Sequence, residues 1–159
     1  MPFSQIIALV IDDPSDVNTV SRAADIVRED RGRLLLTYVI RVERSLPLDA
    51  EIEDQVVGGE QILQRSERLA RLPRGDIESQ LLQAREIGPA IVHESIVRDV
   101  DAIVIGTSHA ADYASFSLGD HIPYILEHAA CDVILWREHS NAYGAVSQSS
   151  KNGRSDRVV

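Results

Sequence analysis

Asp101-Ala102-Ile103-Val104-Ile105-Gly106-Thr107-Ser108 contains a run, Ala102 to Gly106, with no polar position. A short, wholly apolar run with β-branched residues suits a strand buried on both faces of a parallel sheet. Four further runs of this kind lie on either side of it. Val133 to Trp136 follows it. Gln5 to Asp12 stops at two acids, Leu34 to Val42 mixes β-branched and aromatic residues, and Ile77 to Leu82 is weaker. Helical patterns fill the intervals. Val17, Val20, Ala24 and Val27 recur at helical spacing behind Ser15, a suitable N-cap. Ile62, Leu69 and Ala70 line a second helix ending near Pro73-Arg74-Gly75. Gly88-Pro89 opens a third, with proline at its first position and Ile91, Val92, Ser95 and Ile96 behind it. Asp120 opens a fourth, with Ile122, Ile125, Leu126 and Ala129 facing inward. Strands alternating with helices imply βαβ units, and right-handed crossovers make a doubly wound, three-layer α/β sandwich.

The 159 residues amount to one domain, residues 1–138, with a Ser-, Asn- and Gly-rich stretch, 139–159, read as a disordered tail. Arg44 to Val57, long and acidic around Pro47, is expected to form an excursion between the second strand and the second helix. Charge argues against two partner classes. At a net charge of −9, the surface repels nucleic-acid phosphates and anionic membranes. No apolar run approaches the length of a membrane span, and Met1-Pro2-Phe3-Ser4-Gln5 has no signal-peptide character, so a cytoplasmic protein is expected. Cys131 is the only cysteine and cannot form an intrachain disulfide. Lys151 is the only lysine, which excludes any mechanism that needs one in the folded core.

In an open α/β sheet, ligands gather beyond the carboxyl ends of the strands where strand order reverses. That directs attention to Asp12-Asp13-Pro14-Ser15-Asp16 after the first strand and to Gly106-Thr107-Ser108-His109 after the fourth. Leu118-Gly119-Asp120-His121 then opens a helix whose free amides attract anions.

These segments resemble the universal stress protein family along roughly Gln5 to Arg137. Gly106 and Gly119 match the outer glycines of its G-x2-G-x9-G-[ST] motif. Asp101 to Gly106 matches its "D-x-I-V-x-G" strand, and Glu127 to Leu135 its "R-H-A-P-C-P-V-L-V" ending. Ile11-Asp12 resembles "V-D-G-S", and Leu36-Thr37-Tyr38-Val39 sits where the family has "L-L-H-V". The resemblance implies a five-stranded parallel sheet of order 3-2-1-4-5, like that of the adenine nucleotide α-hydrolases. It also implies a homodimer through the fifth strand, Val133 to Trp136, with Trp136 at the interface. Many members bind ATP. Carried over, Asp12 and Val39 would meet adenosine, and Gly106, Ser108, His109, Gly119 and Asp120 would stand at the phosphates.

Two positions depart from the motif. His109 replaces its second glycine and Asp120 its [ST] residue. Histidine is less permissive of close backbone approach than glycine. Asp120 would cap the helix amides with its own carboxylate and set a negative charge beside the phosphates. Like charges 4 Å apart cost about 4 kcal/mol at an effective dielectric of 20. Weak or absent ATP binding is therefore expected, with AMP, another adenine nucleotide or a different small ligand left open. The expected role is regulatory or stress-protective binding, not enzymatic turnover. The alternatives are an ATP-binding switch or slow ATP hydrolase of the same fold, and a ligand-free dimeric adaptor.

Other constellations weigh less. Asp12-Asp13 is similar to the acidic pair of response-regulator receivers. However, no aspartate ends the third strand and no lysine follows the fifth. His109, Asp112 and His121 match no metal-ligand spacing. Ser108-His109 lacks a nucleophile elbow. Asp120 reads first as a helix N-cap, Asp13 as a turn residue and Cys131 as a buried, unreactive thiol.

Overall fold

The computed structural model describes residues 2–108 and 118–138; His109, Phe116 and the 139–159 stretch lie outside them. In chain order the elements are β1 (Gln5–Val10), α1 (Asp16–Asp30), β2 (Arg33–Arg41), α2 (Glu53–Ala70), a 3-10 turn (Arg74–Asp76) and β3 (Ile77–Ala84). They continue with α3 (Ile87–Val97), β4 (Ala102–Ser108), α4 (His121–His128) and β5 (Asp132–Glu138). The five strands form one sheet in the order β3-β2-β1-β4-β5. Every pairing is parallel, with Ile7 opposite both Leu35 and Ile103. The expected fold and strand order are both present.

Side chains alternate across the central strands, as strand geometry requires. Ile6, Ala8 and Val10 of β1 join Leu34, Leu36, Ala102 and Val104 beneath α1 and α2. Ile7 and Leu9 join Leu35, Val39, Ile103 and Ile105 beneath α3 and α4. The continuous apolar runs thus serve two cores, one on each face.

Two polar fastenings fix the amino end of the sheet. The Asp101 carboxylate accepts hydrogen bonds from the Ser4 N–H at 2.7 Å, the Ser4 hydroxyl at 2.7 Å and the Gln5 N–H at 3.0 Å. The Phe3 N–H donates to Asp30 at 2.8 Å.

Several boundaries differ from expectation. β1 stops at Val10 because the Ile11 N–H donates to the Asp16 carboxylate and Asp12 turns left-handed, with φ 57°. Ser15 holds the N-cap position of α1, but its side chain makes no capping bond. α3 begins at Ile87, which puts Pro89 at the third helical position, where a missing N–H also costs nothing. Its Gly88 lies against Tyr124 of α4, where an added Cβ would come within 2.9 Å of the ring. Glu53 to Val57, read as part of the excursion, forms the first turn of α2. Val17, Ile96 and Leu126 point to solvent, not to the core.

Candidate functional site

The carboxyl end of β1 is built by its own acids. The Asp16 carboxylate accepts hydrogen bonds from the Ile11 N–H at 3.1 Å and the Asp13 N–H at 3.2 Å, which pins the turn that carries Asp12. Asp16 is buried. Burial raises its pKa, and these backbone donors offset the rise only in part. Asp13 does more than turn the chain. It accepts hydrogen bonds from the Ser15 N–H at 2.9 Å and from the Ser108 hydroxyl at 3.1 Å, which joins the ends of β1 and β4. Burial pushes the Asp13 pKa up, but the bonds from Ser15 and Ser108 outweigh it and hold the carboxyl below its ordinary value. Asp12 stays exposed and pairs with Arg65 of α2 at 3.2 Å.

Two clefts open at this rim. The first, about 390 Å³, lies between the ends of β1 and β2 and α2, lined by Ile11, Tyr38, Val39, Arg41, Gly59 and Ile87. Val39 is buried in the wall of this cleft. Gly59 brings α2 down onto the sheet, since an added Cβ would lie 2.6 Å from Leu81 Cδ1 and 3.1 Å from Tyr38 Cδ1. Burial raises the Tyr38 pKa, and the charges of Asp12 and Asp16 add to the rise, so its hydroxyl stays protonated.

The second cleft, about 350 Å³, is lined by Arg41, Glu86, Gly119, Asp120, His121 and Tyr124. Arg41 and Ile87 belong to both walls, so the clefts adjoin. Gly119 holds φ +66°, a left-handed conformation that favours glycine. Asp120 occupies the N-cap position of α4, yet its side chain makes no capping bond. The carboxylate therefore does not neutralise the helix amides in the expected way and stands on the wall of the second cleft. His121 is half-buried. Burial lowers its pKa, the Asp120 charge opposes this and the Arg41 charge reinforces it, so the ring is mainly neutral at pH 7.

Of the residues chosen from sequence, Val39 thus lines the first cleft and Gly119 and Asp120 the second, while Asp12 stands outside both linings, paired with Arg65, and Ser108 is bonded to Asp13 at the ends of β1 and β4. His109 lies outside the described residues. Gly106 is packed against α1. It is buried within β4 facing α1, where an added Cβ would come within 1.9 Å of Thr19 Oγ1. Arg41, Tyr38, Gly59 and Arg65 were not singled out from sequence. Arg41 carried a usable signal, since it is a charged residue at the carboxyl end of a central strand, as Asp12 is. Among the described residues, no three His, Cys, Asp or Glu side chains group as a metal site would require.

The family model described as the universal stress protein family matches residues 3–137. The chain belongs to that family. Among curated proteins nothing matches. Solved universal stress proteins share the fold. That of Archaeoglobus fulgidus, in complex with dAMP, superposes with a TM-score of 0.63 at 18% identity, covering 85% of this chain and 98% of that one. UspA of Lactobacillus plantarum gives 0.64 at 21% identity, covering 86% and 99%. A family member from Arabidopsis thaliana with AMP bound gives 0.54 at 16% identity, covering 87% and 94%. In this universal stress protein, both clefts open at the carboxyl end of the sheet, on the β1–β2 side of the point where strand order reverses.

Proposed function

We propose that this universal stress protein is a regulatory or stress-protective binding module. In this reading its site takes an adenine mononucleotide and binds ATP weakly or not at all. The relatives crystallised with dAMP and AMP supply the ligand class. The base would enter the first cleft, against Ile11, Tyr38 and Val39, and a single phosphate would face Arg41. The observation that carries this reading is the order of charges along the two clefts. Arg41 stands at their junction, and Glu86 and Asp120 line the cleft beyond it. One phosphate meets the cation. A longer phosphate chain runs on toward two carboxylates, and each like-charge contact opposes binding. The reading also includes a cytoplasmic homodimer joined through β5, Val133 to Trp136. One edge of that strand pairs with β4, and the other carries no strand of the described chain.

Titration calorimetry with AMP and ATP, each with and without Mg²⁺, tests the reading. AMP is expected to bind more tightly than ATP, and Arg41→Ala to weaken AMP at least tenfold. ATP binding more tightly than AMP in the absence of Mg²⁺ would favour the nucleotide-switch alternative. No heat from either nucleotide, with the protein folded, would favour the ligand-free adaptor.

A further inference from the structure

A third hollow lies between α1 and α2, away from the two clefts. It measures about 660 Å³, and its charged lining consists of Arg28, Arg65, Arg68, Arg71 and Asp25. Four arginines against Asp25 on the wall and Asp12, which pairs with Arg65, leave a local excess of two positive charges on a chain whose net charge is −9. Two of the guanidiniums are held in place. Arg28 donates to Asp25 at 2.9 Å and to the Ala70 carbonyl at 3.1 Å, and Arg65 reaches Asp12 at 3.2 Å. Arg68 and Arg71 have no ion pair among the described residues. Ser21 adds a hydroxyl to the wall.

Favourable interaction with the helix dipole accounts for part of this. Arg28 and Arg68 sit in the last turns of α1 and α2, where cations are favoured. It extends to Arg71, the C-cap residue of α2, but does not account for Arg65, a turn earlier. Nor does it account for four like charges around an open hollow and not dispersed over an acidic surface. Guanidinium forks match phosphate oxygens in paired hydrogen bonds, and several together suit a multiply charged anion.

We infer that the α1–α2 hollow is a phosphate-binding site, distinct from the nucleotide clefts, that takes a phosphorylated small molecule or a phosphorylated side chain of a partner. The inference stands whether or not the clefts bind a nucleotide.

Pyrophosphate titrated into the full chain at low salt, followed by calorimetry, is the test. Binding is expected to weaken at least tenfold in the Arg68→Ala/Arg71→Ala double variant. It is expected to persist in Arg41→Ala and to fall as NaCl rises. Both substituted arginines are exposed, so loss of their dipole interaction should move the urea midpoint by no more than about 0.5 M. The Arg68→Lys/Arg71→Lys variant keeps the charge but loses the forks, and should bind at an intermediate strength. A phosphoserine peptide run in parallel separates the sources. Tighter peptide binding points to a protein partner, and tighter pyrophosphate binding to a free phosphate compound. Equal pyrophosphate binding by wild type and the alanine double variant, loss of binding in Arg41→Ala, or no binding at millimolar pyrophosphate would overturn the inference.

Discussion

Gly106→Ala should destabilise the protein without any ligand present. The new Cβ would lie 1.9 Å from Thr19 Oγ1, 3.3 Å from Thr19 Cβ and 3.4 Å from Ser15 Oγ. Thr19 and Ser15 are both fully buried, so neither can swing into solvent. Thr19 is further fixed by its hydroxyl, which donates to the Ser15 carbonyl at 2.9 Å. Relief requires either turning Thr19 off that bond or lifting α1 from the sheet. Overpacking a core costs about 1–3 kcal/mol. A lost hydrogen bond adds about 1 kcal/mol. The sum, about 2–4 kcal/mol, should lower the urea midpoint by about 1–2 M for an m-value near 2 kcal/mol/M. Thr19→Ala removes the colliding oxygen, so the Gly106→Ala/Thr19→Ala double variant should recover at least about 1 kcal/mol relative to additivity. A Gly106→Ala variant within about 0.5 kcal/mol of wild type, or strict additivity in the cycle, would show that α1 does not depend on the bare glycine. The position would then have to be explained by ligand contact.

Three other outcomes follow from the electrostatics. The Asp101 pKa is lowered, by the Ser4 hydroxyl first and then by the Gln5 N–H, so its stabilisation exists above the ordinary aspartate range and fades as pH falls through it. Asp101→Asn should therefore cost about 1 kcal/mol at pH 7, a modest figure because the carboxylate faces solvent. The gap between the urea curves of the two proteins should be full above the ordinary aspartate value of 3.8 and narrow as pH falls below it toward the lowered value, and a gap that does not narrow in acid would contradict the assignment. A histidine NMR titration should find His121 below its ordinary pKa of 6.5, with Arg41→Ala moving it upward; no movement would separate Arg41 from the second cleft. The Cys131 pKa is raised, chiefly by burial, so iodoacetamide at pH 8 should modify it several times more slowly than free cysteine. Equal rates would mean the thiol is open to solvent.

The sheet was readable because its apolar runs are short, rich in β-branched residues and separated by helical patterns, which together favour strands buried on both faces. Ala102 to Gly106 and Ile6 to Val10 lack a polar position, and both lie in the middle of the sheet. Element ends were harder, because side chains decide them. Ile11 looks like strand, but Asp16, five residues on, takes its N–H. Ser15 and Asp120 have the right chemistry for caps and stand at cap positions, yet neither makes the bond. Ile96 and Leu126 lie on helices whose apolar residues extend beyond the buried face, so spacing alone could not orient them. The site was half legible. Asp12 and Val39 follow from the strand-end rule and the resemblance. Arg41 carried its signal at the carboxyl end of β2, but Gly59 matters only because α2 comes down on Tyr38 and Leu81, a contact that no local pattern records.

The order β3-β2-β1-β4-β5 places the first strand made at the centre of the finished sheet. On a ribosome, β2 and β3 can join β1 on one side through short βαβ steps. The opposite edge of β1 must wait for β4, which is translated roughly ninety residues later. At about 5–20 residues per second, that edge stays open for about 5–20 s. An unpaired, wholly apolar edge invites pairing with other nascent chains. The Asp101 fastening to Ser4 and Gln5 arrives together with β4 and closes the edge at its amino end. Errors of assembly should therefore concentrate in chains released before β4 is complete.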